Sequence, residues 1–111
     1  MVELLIMYSA ITPTDGHIQR LCALRNDVRV TVAGSEKQAV DHAAETEVIL
    51  GHRYLRQTLP HTRSLKWVQS TAAGVEHLIT PELRKAGPLL SRCPIFAEVI
   101  ARHAFACALA L

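Results

Sequence analysis

The sequence predicts an open α/β fold built on a parallel sheet. Short apolar runs alternate with stretches in which apolar residues recur at helical spacing. The apolar runs are almost continuous, which is typical of strands that are buried on both faces. No repeat, low-complexity segment or linker interrupts the pattern before about residue 94. Strands and helices in this alternating order form parallel sheets with helices on both faces, so we expect a fold of flavodoxin type.

The first predicted strand covers residues 2–8, with Glu3 as its one charge. Helix-start signals follow it. Thr12 is the expected N-cap, Pro13 takes the first helical position and Asp15 lies in the first turn. Four positions follow at helical spacing: Ile18, Leu21, Cys22, and either Leu24 or Arg25.

Two further strands and one helix complete the first half. Residues 28–32 are apolar at alternate positions and stop before Gly34, and residues 47–51 form the third predicted strand. Between them, Ser35 and Gln38 have the spacing of a capping box that opens a helix. The expected inward positions of this helix are Ala39, Val40 and Ala43.

The second half continues the alternation. Residues 65–69 form the fourth predicted strand. Thr80, followed by a proline, caps a short helix that ends at Gly87, and residues 88–91 form a fifth strand.

The last segment, residues 97–111, is predicted to be a helix with a charged pair, Glu98 and Arg102, followed by no charge at all. A helix that is apolar on most sides is expected to be buried on most sides. Because the sheet faces are already used by other helices, we expect this helix to contact protein outside this chain. We divide the sequence into a domain over residues 1–93 and a hinge with a helix over residues 94–111.

Composition excludes several classes of function. The net charge of +2 is spread along the chain and forms no basic stripe, so nucleic-acid binding has little support. No apolar run approaches the ~20 residues that span a bilayer. The three cysteines are odd in number and far apart, which favours reduced thiols in a cytoplasmic protein.

A cluster of small residues lies where the fourth strand gives way to sequence of helical character, in QSTAAGVEHL at residues 69–78. In open α/β sheets, ligands bind beyond the carboxyl ends of the strands. A helix N-terminus offers free backbone N–H groups to an anion such as a carboxylate, and Gly74 allows close approach to the backbone. The alternative is structural: Ser70 or Thr71 caps the next helix, and Gly74 permits tight packing.

Two stretches resemble the D-isomer-specific 2-hydroxyacid dehydrogenases. LKWVQSTAAGVEHLI resembles the substrate-loop signature of that family, and TEVILGHRYLRQTLPHTRSLKW resembles the strand and short helix before it. Residues 96–111 are similar to the family's helix between its two domains. The resemblance covers most of the chain and is most specific over residues 47–78.

The resemblance implies the substrate-binding domain of an oxidoreductase that interconverts 2-oxo acids and D-2-hydroxy acids with NAD or NADP. It places the substrate carboxylate on the backbone amides of Ala73, Gly74 and Val75, and it places Arg53 where family members present side chains to the substrate. It also implies a Rossmann domain as partner.

The sequence departs from the family pattern in three respects. Arg102 stands before His103 where the family has an acidic residue, and Glu76 replaces the commoner aspartate. No Gly-x-Gly-x-x-Gly occurs, and the family's catalytic arginine, glutamate and histidine have no counterpart here. We therefore assign no catalytic, cofactor-binding or metal-binding residue, and we expect no cofactor to bind this chain alone.

The six histidines lack metal-ligand spacing. His17 and His42 are predicted on helix surfaces, His52 and His77 flank the predicted site, and His103 is expected at a domain interface. Among the cysteines, Cys22 is predicted to be in the core, Cys107 to be packed in the last helix, and Cys93 to lie at a hinge.

A second hypothesis treats the chain as a non-catalytic flavodoxin-like module that binds an acid or a protein partner, as co-repressor relatives of the family do. In either case the apolar helix over residues 97–111 predicts self-association into a homo-oligomer such as a dimer.

Overall fold

The computed structural model describes residues 1–7 and 12–111, which form a single five-stranded parallel sheet. The strand order is β2-β1-β3-β4-β5. The strands are β1 (Val2–Ile6), β2 (Val28–Val32), β3 (Val48–Leu50), β4 (Trp67–Gln69) and β5 (Leu89–Ser91). This is the flavodoxin-type order, in which the chain reverses its direction of travel across the sheet between β1 and β3. The predicted fold class is confirmed.

Five α-helices and three short 3-10 helices connect the strands. The α-helices are α1 (Asp15–Leu24), α2 (Glu36–His42), α3 (Leu55–Thr58), α4 (Pro81–Ala86) and α5 (Ala97–Leu109). The 3-10 helices are Ala43–Glu45, Leu59–His61 and Glu76–Leu78. Every strand after the first therefore follows at least one helical segment, as parallel neighbours require.

One face of the sheet carries the core. Leu5, Ile49 and Val68 occupy one register row across β1, β3 and β4 and are completely buried. Helices cover this face with small and branched side chains: Ala39 from α2, Leu55 from α3 and Leu83 from α4. Burial of this row stabilises the central strands, at roughly 1.5–3 kcal/mol for each large side chain.

The opposite face is covered by α1 only in part. Leu21 and Leu24 of α1 line a cavity of about 310 Å³ with Leu50, which lies in the same register row as Ile6. At the far edge, Trp67 of β4 and Leu89 of β5 are 40% and 68% exposed. The expectation that all strands are buried on both faces is therefore wrong for the β4–β5 edge.

The cap of α1 differs from the prediction. Thr14, not Thr12, is the N-cap: its extended backbone lets its Oγ1 accept a hydrogen bond from the His17 amide at 3.4 Å. His17 Nδ1 accepts one from the Thr14 amide at 3.3 Å, so histidine takes the part that Glu or Gln plays in the usual capping box. Pro13 consequently precedes the helix.

The position of Cys22 in α1 is also corrected. No residue of α1 is fully buried; Ile18 and Leu21 are half-buried, and Cys22 and Leu24 are exposed. The physical reason is position: α1 packs on the edge strand β2, where only one neighbouring strand lies beneath it. Cys22 is thus a surface thiol and not a core residue.

The other predicted caps are confirmed. Ser35 Oγ accepts from the Gln38 amide at 3.3 Å and begins α2. The Gln38 side chain accepts from the Gly34 amide and not from the cap itself. Thr80 Oγ1 accepts from the Leu83 amide at 3.2 Å and begins α4, which ends at Gly87 in the left-handed conformation with φ 68°. Within α2 and the 3-10 turn after it, Ala39 and Ala43 are buried and Val40 is half-buried.

Four strands are shorter than predicted. β1 ends at Ile6, and Tyr8, the last residue of the predicted strand, lies outside the described residues. β3 lacks Glu47 and Gly51, β4 lacks Leu65 and Lys66, and β5 lacks Pro88. Pro88 has no amide hydrogen to contribute to the ladder, and Gly51 leaves the strand conformation with φ 95°.

The last helix, α5, extends away from the sheet. Every residue from 94 to 111 is exposed, including Cys107, so the expected burial of α5 does not occur within this chain. Only Glu98 and Arg102 form an ion pair along it. In the described part of the chain, no helix is both long and apolar enough to cross a membrane. The division at residue 93 and the cytoplasmic location remain predictions.

We expect the substitution Gly51→Ala to destabilise the fold by about 1–2 kcal/mol, because a side chain at φ 95° brings Cβ against the following carbonyl. Urea unfolding followed by circular dichroism measures the change. Gly16→Ala is the matched control: its Cβ meets Thr14 Oγ1 at an ordinary 3.8 Å. An equal midpoint for the Gly51→Ala variant and the native chain would contradict the prediction.

Candidate functional site

The candidate site lies at the carboxyl ends of β3 and β4. The amide of Gly51, just after β3, donates to the Gln69 carbonyl at the end of β4 over 2.9 Å. The Ser70 amide donates in turn to the carbonyl of Ser91 in β5 over 2.8 Å. These two bonds hold the segments that leave three neighbouring strands at one edge of the sheet, where ligands of such folds bind.

Ser70 anchors the loop that follows β4. Its side chain is completely buried, and its Oγ accepts a hydrogen bond from the Ala72 amide at 3.0 Å. The same oxygen lies 3.4 Å from His52 Nδ1, to which the hydroxyl donates when that nitrogen carries no proton. The Ala72 carbonyl accepts from the Cys93 amide at 3.0 Å. Ser70 therefore fixes the start of the loop from inside.

The next three residues leave their amides free. Within residues 1–7 and 12–111, the N–H groups of Ala73, Gly74 and Val75 donate no hydrogen bond. Ala73 and Gly74 are exposed and Val75 is half-buried. Successive free amides in a loop form a concave donor set that suits an anion. The three predicted carboxylate-binding residues are consecutive in this loop, and their role stays a prediction.

The regular helix expected after this loop is absent, and that expectation is wrong. Val75 is followed only by the 3-10 helix Glu76–Leu78, and neither Ser70 nor Thr71 caps it. A helix of one turn has almost no macrodipole, because the dipole needs several aligned peptide units. Any preference for an anion must therefore come from the loop amides themselves.

Gly74 is not required by the backbone, since it has no positive φ. A Cβ built at Gly74 would lie 3.2 Å from Glu76 Oε2. The Glu76 carboxylate thus lies beside the free amides, and a bound carboxylate would meet its negative charge. The Glu76 side chain is exposed, so it can rotate away at small cost.

Arg53 lies in the turn between β3 and α3 and is exposed. Its guanidinium carbon is 5.2 Å from the centre of the Tyr54 ring, a cation–π distance. Arg53 also lines a cavity of about 310 Å³ with Arg56, His52 and His77. This cavity, the Arg/His cavity, is formed by the turn before α3, α3 itself and the 3-10 helix Glu76–Leu78.

His52 and His77 were predicted to flank the site, and the structure places them in contact. Their ring centres are 5.6 Å apart in an edge-to-face arrangement with 75° between the planes. Burial lowers the pKa of His52 below its ordinary value of 6.5, and the neighbouring His77 lowers the pKa further. His52 is therefore neutral at pH 7, consistent with the Ser70 hydroxyl as donor to its Nδ1.

The remaining predicted residues do not join the site. His17 and His42 are exposed on α1 and α2, as expected, and His103 lies on α5 with its Nε2 3.6 Å from Cys107 Sγ. Cys93 is half-buried. Among the described residues, no group of three or more His, Cys, Asp or Glu is close enough to hold a metal ion. Sequence reasoning missed Arg56, whose place in the cavity depends on how α3 crosses the loop.

Comparison with known proteins gives an informative structural similarity. The sequence matches no protein-family model and no curated protein. Among solved structures, the crystal structure of phosphoglycerate dehydrogenase from Lactobacillus plantarum is similar over 96% of this chain, with 26% sequence identity and a TM-score of 0.61. The chain resembles part of a dehydrogenase. It spans 34% of the length of that enzyme.

This similarity confirms the α/β fold and supports the predicted relationship at the level of a dehydrogenase domain. A shared arrangement over nearly the whole chain is consistent with a domain of an oxidoreductase. Substrate, cofactor and the roles of Ala73, Gly74, Val75 and Arg53 do not follow from it, because folds host many functions and function lies in the site.

We expect the substitution His77→Gln to raise the pKa of His52, because it removes a neighbouring positive charge, while burial keeps that pKa below 6.5. The ¹H and ¹⁵N shifts of the His52 ring against pH measure it. Because the pKa of His52 is lower in the folded chain than in the unfolded chain, the unfolded chain binds the proton first. The free energy of unfolding therefore falls as pH drops below about 6.5. An unchanged His52 pKa in the His77→Gln variant would contradict the prediction.

Proposed function

We propose that this chain is the substrate-binding domain of an NAD(P)-dependent oxidoreductase that acts on D-2-hydroxy acids and 2-oxo acids. The observation that carries the proposal is the set of amides at Ala73, Gly74 and Val75, just past the carboxyl end of β4, which donate no hydrogen bond within the described residues. The similarity to phosphoglycerate dehydrogenase supports it. The substrate named for that enzyme, a hydroxy acid, carries a carboxylate of the kind that such amides bind.

In this proposal the loop amides bind and orient the substrate carboxylate. Ser70 keeps the loop in position through its hydrogen bond from Ala72, so the donors do not need to reorganise on binding. Arg53 supplies a positive charge from the turn after β3 and can pair with a carboxylate oxygen. Its present contact with the Tyr54 ring limits the directions in which the guanidinium can point.

The residues of this chain do not fit a dinucleotide. No Gly-x-Gly-x-x-Gly motif occurs in the sequence, and none of the turns from a strand into a helix has the glycine-rich form that receives a pyrophosphate. The proposal therefore assigns NAD or NADP to a separate Rossmann domain as partner, and it derives no step of hydride transfer from these residues.

We expect the 111-residue chain to bind glycolate, the simplest 2-hydroxy acid, and to lose most of this affinity in the Gly74→Val variant. We expect the added side chain, whose Cβ would lie 3.2 Å from Glu76 Oε2, to obstruct access to the amides, whereas Gly74 has no positive φ that excludes other residues. We expect the Kd to rise at least about tenfold, which corresponds to one lost charged hydrogen bond. Amide ¹H–¹⁵N spectra during a glycolate titration measure the Kd and identify the shifted residues.

Gly34→Val is the matched control, because Gly34 is also exposed but lies after β2, and a Cβ there meets only the Gln38 side chain at 3.5 Å. Urea unfolding of each variant separates loss of binding from loss of fold. If the Gly74→Val variant loses as much stability as affinity, Gly74 has a packing role and not a binding role. Glycolate shifts that avoid residues 73–75 in the native chain would contradict the proposal.

The exposure of α5 favours a second candidate function, a protein-interaction module. Large apolar side chains on all sides of α5 are exposed: Val99 66%, Ile100 64%, Phe105 67% and Leu109 72%. Exposed apolar surface of this extent marks an interaction surface. We propose that a second copy of the chain covers α5, so that the protein forms a homo-oligomer. This function is compatible with acid binding, because none of residues 70–75 belongs to α5.

We expect sedimentation equilibrium to show association of the native chain at micromolar concentration, and the Phe105→Glu variant to shift it toward monomer by placing a charge in the apolar contact. Lys37→Glu is the control, since Lys37 is exposed on α2, far from α5 in sequence. A native chain that stays monomeric at all concentrations would contradict self-association.

A further inference from the structure

The Arg/His cavity is a separate feature from the loop amides. It is lined by Arg53, Arg56, His52 and His77 over an apolar floor that includes Leu55 and Leu78. The free amides of residues 73–75 do not line it. Its volume of about 310 Å³ is at the lower end of the range for small-molecule sites.

The charges of the cavity are uncompensated. Neither Arg53 nor Arg56 forms an ion pair with any residue in the described part of the chain. The described lining contains no carboxylate; Glu76, beside His77 in sequence, turns its carboxylate toward Gly74 instead. Two arginines and two histidines line one cavity that no acidic residue lines among the described residues, so the group that suits this lining is negative.

From this geometry we propose that the Arg/His cavity binds a phosphate-sized dianion. Arg53 and Arg56 supply the permanent charge. His52 and His77 supply ring N–H donors, and the anion offsets the repulsion that arises when both rings carry a proton. The site differs from the loop amides, which suit a single carboxylate.

The two sites share Arg53, which lines the cavity and is also assigned to the carboxylate in the proposed function, and a hydrogen bond between side chains connects them. His52 Nδ1 lies 3.4 Å from Ser70 Oγ, which accepts the Ala72 amide at the start of the loop. A dianion in the cavity favours protonated His52, and a protonated Nδ1 donates to Ser70 Oγ where it previously accepted. Occupation of the cavity therefore reverses one hydrogen bond at the base of the loop. The charged groups that face His52 in this cavity are His77, Arg53 and Arg56.

Sulfate is a suitable probe, because it stays a dianion across the range in which histidine titrates. We expect sulfate, added to the 111-residue chain at constant ionic strength, to shift the ring signals of His52 and His77 and the Arg56 Nε–H signal with a common saturable Kd. Arg56→Gln and His77→Gln should each raise that Kd about tenfold. Binding should tighten as pH falls from 7.5 to 5.5, since a protonated His52 favours the anion.

Arg63→Gln is the control, because Arg63 is exposed and does not line the cavity. Both cavity variants replace exposed side chains, and urea unfolding checks that each remains folded. Shifts that do not saturate, or that are as large in the Arg56→Gln and His77→Gln variants as in the native chain, would overturn the proposal.

A second titration separates this site from the carboxylate site. If glycolate shifts residues 73–75 while sulfate stays bound, the chain has two anion sites, as proposed. If glycolate and sulfate displace each other from the same residues, there is one site and the proposal is wrong. If sulfate binds and glycolate does not, the cavity assignment stands and the proposed 2-hydroxy-acid function fails.

A further titration identifies the source of the dianion. Phosphoglycolate carries a carboxylate and a phosphate on one small molecule. Affinity more than about tenfold above that for sulfate, lost in both the Gly74→Val and Arg56→Gln variants, identifies the dianion as the second group of a single substrate. Affinity equal to that for sulfate identifies a free dianion. In either case binding must depend on Arg56, and independence from Arg56 refutes the assignment.

Discussion

The hydrogen bond from the Gly51 amide to the Gln69 carbonyl is the constraint on which the site depends. It joins the residues that follow β3 to the end of β4, and the chain then turns out of the strand at Gly51, whose φ is 95°. That turn places His52 against Ser70 and directs Arg53 out of the sheet. Without it, the loop at residues 70–75 and the Arg/His cavity would not share an edge. Gly51 thus links the pairing of β3 and β4 to the positions of the site residues that follow it.

Most of the fold was predictable because its signals are local. Continuous apolar runs indicated four of the five strands, and apolar residues at alternate positions indicated β2. Ser35 and Thr80 marked helix starts by hydrogen bonds within four residues. The prediction of Thr12 as N-cap was wrong for a physical reason. Both Thr12 and Thr14 have side chains that can cap a helix, and Thr14 is the N-cap because His17 Nδ1 accepts a hydrogen bond from the Thr14 amide. Exposure of Cys22, Trp67 and Leu89 was not predictable, since it depends on what covers each part of the sheet.

The candidate site was likewise predictable where its signals are local and not where it depends on contacts between distant elements. The small residues of the loop indicated that backbone amides would be accessible, and the structure leaves those of Ala73, Gly74 and Val75 free among the described residues. The helix expected behind them is one 3-10 turn. Arg56 and the contact between His52 and His77 join elements more than 20 residues apart in sequence, so only the three-dimensional arrangement reveals them. The result is a rim that offers both neutral amide donors and concentrated positive charge.

A crystal structure of the chain with a bound 2-hydroxy acid tests most directly whether the loop at residues 73–75 is a carboxylate site. We expect one carboxylate oxygen to lie about 2.7–3.1 Å from the amide nitrogens of Gly74 and Val75, with the Glu76 side chain rotated away from Gly74. A ligand whose carboxylate lies elsewhere, with Glu76 still beside Gly74 and the three amides still free, would contradict the assignment. The loop would then be a structural turn that Ser70 fixes, and the function would have to be sought in α5 or in the Arg/His cavity.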